Sequence, residues 1–204
     1  MTQHKIAIAG KQGAGKSHLA AAFSNIGWLT FSIADPIKQL VALAHPNASK
    51  TDHAMVGMKM KTVRELYQAI GGAIRTHVDS YFWLTIATNR IDEATRTYRS
   101  IVVDDVRTPT EAQWLKDSGF TIIKLVVPTE TRAARIGKLI GEDDETETGV
   151  DNIRGDITLD SWQANDLLTL LSDAQWATHT ERFSNAMARV EQFLNEHKED
   201  AWSS

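Results

Sequence analysis

Apolar residues in this chain follow two rhythms: short unbroken runs that end at glycine or acid, and longer stretches in which they recur every third or fourth position. Lys5-Ile6-Ala7-Ile8-Ala9 is a run of the first kind, stopping at Gly10, and reads as a strand buried on both faces. From Ser17 onward Leu19, Ala22, Phe23 and Ile26 fall on one helical face, and Gly27 ends it. Residues 29–34 predict a second strand. Asp35-Pro36 then predicts a cap and a first-turn proline for a helix whose inner side is Ile37, Leu40, Val41 and Ala44.

Thr62-Val63-Arg64-Glu65 has the spacing of a capping box, in which threonine and glutamate satisfy each other's backbone N–H groups. It opens a helix with Val63, Leu66, Tyr67, Ile70 and Ile74 inward. Asp79 predicts the cap of another helix, reaching about Ala94. Residues 100–104 form a strand ending in acid, and Thr108-Pro109-Thr110-Glu111 is a second capping box whose helix should end at Gly119. Residues 121–127 predict a further buried strand, and 129–139 a helix carrying Arg132, Arg135 and Lys138. An acidic loop at 141–147 and two closing helices at 162–171 and 180–194 complete the chain. Strand and helix alternate as they do in a mainly parallel sheet covered by helices. The expectation is an α/β fold of three layers in one domain over residues 1–204, with a helical lid near 129–155.

Composition narrows the function. A formal charge of −4 offers no broad attraction to nucleic acid, so no stable nucleic-acid complex is expected and the default ligand is small. The absence of cysteine excludes disulfides, thiolate nucleophiles and Cys-based zinc sites. No apolar run approaches the roughly 20 residues that span a bilayer, and Met1 to Lys5 leads into the first strand without a signal-peptide pattern. The expected compartment is the cytoplasm, with no membrane association. The seven histidines show no paired ligand spacing, so no transition-metal site is expected.

Gly10-Lys11-Gln12-Gly13-Ala14-Gly15-Lys16-Ser17, followed by His18, fits the Walker A spacing between a strand and a helix. Glycines let successive N–H groups turn toward nucleotide phosphates, and the helix N-terminus adds partial positive charge. Lys16 would lie against the β- and γ-phosphates and the Ser17 hydroxyl would ligand Mg²⁺, so ATP and Mg²⁺ are the expected cofactors. The Lys16 side chain is expected to project from a solvent-open loop. Asp104-Asp105, at the end of a hydrophobic strand, suits a carboxylate that holds Mg²⁺ directly or through water; the spacing alone leaves both candidates open.

Asp105-Val106-Arg107-Thr108-Pro109-Thr110-Glu111, together with the segments Phe31 to Lys38 and Leu66 to Arg75, resembles the phage-type deoxynucleoside monophosphate kinases, in order over residues 1–130 or so. The resemblance implies a P-loop kinase fold, ATP and Mg²⁺, a deoxynucleoside 5′-monophosphate as acceptor, and a homodimer. It prefers Asp105 over Asp104 as the metal partner and gives Arg107 a contact with substrate phosphate. By the same resemblance Asp35, Lys38, Gln68 and Arg75 line the acceptor site, with Trp83 as a base-stacking wall. Asp35 also fits a helix cap, Lys38 a solvated charge and Trp83 a core ring. Arg132 and Arg135 are candidate lid arginines that close over the transferring phosphoryl group, or else a solvated helix face. Two rivals stay open: a P-loop kinase of another small molecule or of a modified DNA base, and a nucleotide-binding module without catalysis.

Overall fold

The structure, a computed structural model, describes residues 3–49, 52–56, 59–97, 100–137, 148–177 and 180–199. In chain order the described elements begin with β1 (Lys5–Gly10), α1 (Lys16–Asn25), β2 (Leu29–Ser32), α2 (Asp35–Ala44), β3 (His53–Val56), β4 (Lys59–Thr62), α3 (Val63–His77) and α4 (Phe82–Thr97). They continue with β5 (Ile101–Val106), α5 (Pro109–Asp117), β6 (Thr121–Leu125), α6 (Thr129–Ile136), a 3₁₀ turn (Gly149–Asn152), β7 (Ile157–Leu159), and the helices α7 (Ser161–Gln175) and α8 (Thr180–Glu196). They fall into two compact units, Met1–Phe31 with Glu93–Ser204, and Ser32–Asp92.

The first unit is built on a five-stranded sheet of order β2-β5-β1-β6-β7. β1 pairs in parallel with β5 on one side and β6 on the other, and β6 pairs in parallel with β7. A central parallel strand covered on both faces has no solvent side, which is why Ile6 to Ala9 read as an unbroken apolar run and are all buried. Leu19 and Phe23 of α1 pack with Ile8, Val102 and the inward faces of α7 and α8, Leu167, Leu171 and Val190, into one core. Between the pairs Ala7↔Val103 and Ala9↔Val106, β1 advances two residues while β5 advances three. This bulge holds Asp104 and Asp105, and Asp105 takes a left-handed φ of 65°.

The second unit contains α2, the antiparallel hairpin β3–β4, α3 and the first part of α4. Its apolar cluster is small: Val41, Val63 and Leu66, with Ala48, Tyr67 and Ile70 against them. The Thr62 capping box forms as expected, with Glu65 N–H donating to Thr62 Oγ1 and Thr62 N–H donating to Glu65. Gly71 of α3 faces Ile37 of α2, whose Cδ1 would stand 3.0 Å from a Cβ there.

Several boundaries differ from expectation for local reasons. β2 stops at Ser32 because its N–H donates to the Asp35 carboxylate, 2.9 Å, rather than to a neighbouring strand. Asp35 is therefore not the cap of α2; the cap position is Ala34, without a side-chain bond, and Asp35 is the first helical residue. β6 ends at Leu125, and α6 ends at Ile136 before Gly137 with φ 77°. Residues 138–139 of the expected longer helix and the acidic stretch 141–147, much of the expected lid, lie outside the described residues. The hairpin β3–β4 and strand β7 had no counterpart in the sequence pattern: β4 is Lys-Met-Lys-Thr, too polar to read as buried, and β7 is three residues long. Among the described residues no helix is long and apolar enough to cross a membrane.

Candidate active site

The loop between β1 and α1 has the backbone that its glycines allow. Gly13 has φ 78°, and a Cβ there would stand 3.0 Å from the Arg132 carbonyl oxygen, so only glycine fits both the turn and the approach. The loop is braced from α6. Arg132, 3% exposed, donates through Nη1 to Gln12 O at 3.1 Å, through Nε to Val127 O at 3.3 Å and through Nη2 to Thr129 Oγ1 at 3.0 Å. Arg135 Nη1 donates to Gly13 O at 3.4 Å and Ala14 O at 3.3 Å. Both arginines thus meet the loop, Arg132 as a buried strut and Arg135 from an exposed position on the same helix. Lys11 Nζ pairs with Asp151 at 2.7 Å, tying the loop to the 3₁₀ turn.

Lys16 departs from expectation. Its side chain is buried, 8% exposed, rather than open to solvent. Nζ donates to Gly10 O at 2.5 Å and Lys11 O at 3.1 Å, and stands 3.5 Å from Asp105 Oδ1. Two carbonyls turned inward by the loop and one carboxylate draw the ammonium in, as burial of a charge requires. Ser17 and His18 are exposed at the start of α1.

The bulge in β5 aims Asp105. Aspartate tolerates the left-handed region better than a branched residue, at a cost of about 1–3 kcal/mol that the surrounding contacts must offset. Its Oδ1 accepts from Arg107 Nε at 2.9 Å and Nη2 at 2.8 Å as well as facing Lys16. Arg107 is in turn fixed at its backbone: its N–H donates to Glu111 Oε2 at 2.9 Å, and Thr108 N–H reaches the same oxygen at 3.1 Å. The result is a line of alternating charge, Lys16, Asp105, Arg107 and Glu111, from the P-loop to the start of α5. Motif spacing singled out Lys16 and the family resemblance Asp105 and Arg107; Glu111 was legible only as half of a capping box.

The oxygen donors present here are Ser17 and the Asp104-Asp105 pair. Among the described residues no group of three or more histidine, cysteine or acidic side chains forms a metal cage. That set fits Mg²⁺, which keeps several waters and takes one or two carboxylates plus the phosphates of its nucleotide.

A cavity of about 270 Å³ opens beside the loop. Gly15, His18 and Leu19 form one wall, and Ser161, Ala164, Asn165 and Leu168, which recur at helical spacing on α7, form the other; Arg135 also lines it. Ser161 Oγ is buried with no hydrogen-bond partner among the described residues. His18 was expected near nucleotide from its place after the motif. Ser161 and Asn165 were not, because their spacing reads as an ordinary helix face until its partner is seen.

In the second unit Asp35 gathers cations: Lys38 Nζ at 2.9 Å on Oδ1 and Arg90 Nη1 at 3.3 Å on Oδ2. Arg90 was missed, being 55 residues away in sequence. Gln68, Gly71 and Arg75 share a face of α3 by spacing, and Gln68 Nε2 is buried with no hydrogen-bond partner among the described residues. Trp83 is a core ring, 4% exposed, its Nε1–H donating to Gly71 O at 3.1 Å, and so not an open stacking wall.

A family model described as deoxynucleotide monophosphate kinase matches residues 53–169, more than half of the chain. No curated protein matches it. Among solved structures the chain is similar to a gluconokinase from Sinorhizobium meliloti 1021, at 12% identity over 95% of this chain and 97% of that one, with a TM-score of 0.47. It is similar to a shikimate kinase from Acinetobacter baumannii, at 12% identity over 96% and 95% of the two chains, TM-score 0.46. A tunicamycin resistance protein from Deinococcus radiodurans shares 16% identity over 83% of this chain and 94% of that one, TM-score 0.48.

Proposed function

The chain belongs to the deoxynucleotide monophosphate kinase family and is an ATP-dependent phosphotransferase; from that premise we propose that it transfers the γ-phosphoryl group of ATP to a deoxynucleoside 5′-monophosphate. The observation that carries the reading is the convergence of Lys16, Asp105 and Arg107 beside the phosphate-cradling loop. An oxygen of the acceptor phosphate attacks the γ-phosphorus, the bond from that phosphorus to the β–γ bridging oxygen breaks, and ADP leaves. With a second pKa near 6, the acceptor oxygen is largely ionised at neutral pH and needs no general base. Catalysis then rests on positioning and charge neutralisation.

Lys16 would exchange its loop carbonyls for the β- and γ-phosphates, and Arg107 would meet the acceptor phosphate. Ser17 and Asp105 would hold Mg²⁺, which when bound neutralises charge across the β- and γ-oxygens. Arg135 and His18 flank the cavity in which we place the nucleotide base, with the Ser161 hydroxyl as a hydrogen-bonding partner for it. Lys38, Arg75 and Gln68 are the proposed acceptor contacts, with Arg90 added on the strength of its ion pair to Asp35. The resemblance supports a homodimer, and the charge of −4 weighs against stable binding to nucleic acid.

The test is ADP release with ATP and Mg²⁺ across a panel of ribo- and deoxynucleoside monophosphates, free nucleosides, sugars and duplex DNA at fixed salt. Deoxynucleoside monophosphates should give the highest kcat/KM. Faster turnover with a nucleoside, a sugar or DNA would overturn the acceptor assignment, and release that ignores every acceptor would favour a binding module.

A further inference from the structure

Glu111 carries more than a helix cap requires. A capping box asks the third-turn-position glutamate to accept one bond, from the N–H of its own cap residue. Here that residue is Thr108, and the bond is present at 3.1 Å. The same oxygen also accepts the Arg107 N–H, at the shorter distance of 2.9 Å, one residue outside the box. Glu111 as a residue is 7% exposed, so its charge sits where going unbonded would be costly.

The Arg107 carbonyl is closely approached as well. A Cβ on Gly149 would stand 3.0 Å from the Arg107 carbonyl oxygen, so the 3₁₀ turn abuts that carbonyl with no room for a side chain. With its N–H held and Gly149 close against its carbonyl, Arg107 has a constrained point of departure for the guanidinium that reaches Asp105 Oδ1 two residues back. Asp105 stands in a left-handed backbone, where φ must be imposed from outside.

We propose that Glu111 is a positioning residue for phosphoryl transfer: through the Arg107 N–H it sets the Arg107–Asp105 pair that faces Lys16. The inference rests on the proposed roles of Arg107 and Asp105. It says that the start of α5 acts on turnover and not only on stability.

Four variants of the full chain separate the two roles, using whichever panel acceptor is best: Glu111→Ala, Glu111→Gln, Thr108→Ala and Arg107→Ala. Thr108→Ala removes the other half of the same capping box and leaves the Glu111–Arg107 bond in place. Both alanine variants of the box should lower Tm to a similar degree. Glu111→Ala should lower kcat by on the order of tenfold to a hundredfold, the scale of a small misplacement of a reacting group. Thr108→Ala should leave kcat within about twofold, and KM for ATP should change little in either. Glu111→Gln keeps an acceptor oxygen and should recover most of the lost kcat. Equal kcat losses in Glu111→Ala and Thr108→Ala, or a Glu111→Gln as slow as Glu111→Ala, would overturn the inference. Arg107→Ala tells which level failed. If it collapses turnover while Glu111→Ala does not, only the Glu111 role falls; if it keeps full turnover, the role of Arg107 falls and takes the inference with it.

Discussion

The two units hold their charged side chains in different ways. In the sheet-built unit, three cations near the P-loop are tied to main-chain carbonyls or to the carboxylate in the β5 bulge: Lys16 to Gly10 and Lys11, Arg132 to Gln12 and Val127, Arg107 to Asp105. In the helical unit, Asp35, itself held by the Ser32 N–H, pairs with Lys38 and Arg90, and the two cations are 37% and 38% exposed. The apolar support differs likewise, a continuous core around Leu19 and Phe23 against a cluster centred on Val41, Val63 and Leu66. Main-chain anchoring lets geometry survive side-chain motion, which suits groups that must meet a developing charge. Half-exposed ion pairs on a small core leave more room for adjustment, which would suit the acceptor contacts proposed there.

The largest effect that would sharpen this contrast is at Lys16. Lys16→Ala removes the charge proposed to meet the phosphates and leaves Asp105 with one fewer cation, so turnover should fall by on the order of 10²-fold or more. Steady-state ADP release by a variant whose far-UV circular dichroism is unchanged is the measurement, and full activity would break the assignment of the sheet-built unit to phosphate chemistry.

Leu19→Ala against Leu66→Ala comes next. Leu19 is 1% exposed in the large core, and its truncation should cost about 3–5 kcal/mol, whereas Leu66 in the small cluster should cost nearer about 2 kcal/mol. Urea unfolding reports the totals, and native-state hydrogen exchange reports where protection is lost. Loss confined to Ser32–Asp92 for Leu66→Ala supports the contrast; equal global destabilisation removes it.

The smallest effect is a pH dependence at the start of α3. The backbone N–H of Thr62 donates to Glu65, which holds its carboxyl below the ordinary glutamate range, with the Thr62 hydroxyl adding to the same shift. A carboxylate depressed in the folded state contributes stability that is present above its unfolded pKa and is lost as pH falls through the folded value. Acid titration of amide signals from Thr62 to Leu66 should therefore show the cap loosening at acidic pH, and Glu65→Gln should flatten that response. An unchanged response in Glu65→Gln would assign the pH dependence elsewhere.

Much of the sheet-built unit was legible because its signals are local. The glycine spacing of the loop, the apolar runs and the Thr108 capping box each lie within a few residues. What escaped depends on distance or on backbone direction. Asp104-Asp105 reads as two acids in a row, and nothing in the letters announces that β5 carries an extra residue there. Burial of Lys16 follows from carbonyls that point inward, which composition does not encode. Arg90 finds Asp35 across 55 residues, and Ser161 meets the α1 face only once β7 has brought α7 back to the sheet. Asp35 was misread as a cap because aspartate before proline usually is one, while here its carboxylate turns back to Ser32.

The irregularity in β5 has a consequence for how this segment can change by insertion or deletion. Residues up to Val103 pair with β1 in one phase, and Val106 pairs one step out of that phase. Deleting either aspartate would restore a regular ladder in which Val106 still faces Ala9. What would be lost is the bulge itself, and with it the left-handed turn that aims a carboxylate at Lys16 and Arg107. The chemistry of this corner is thus written in the count of residues as well as in their kinds: point substitutions there can be graded in effect, whereas a lost codon should be all or nothing.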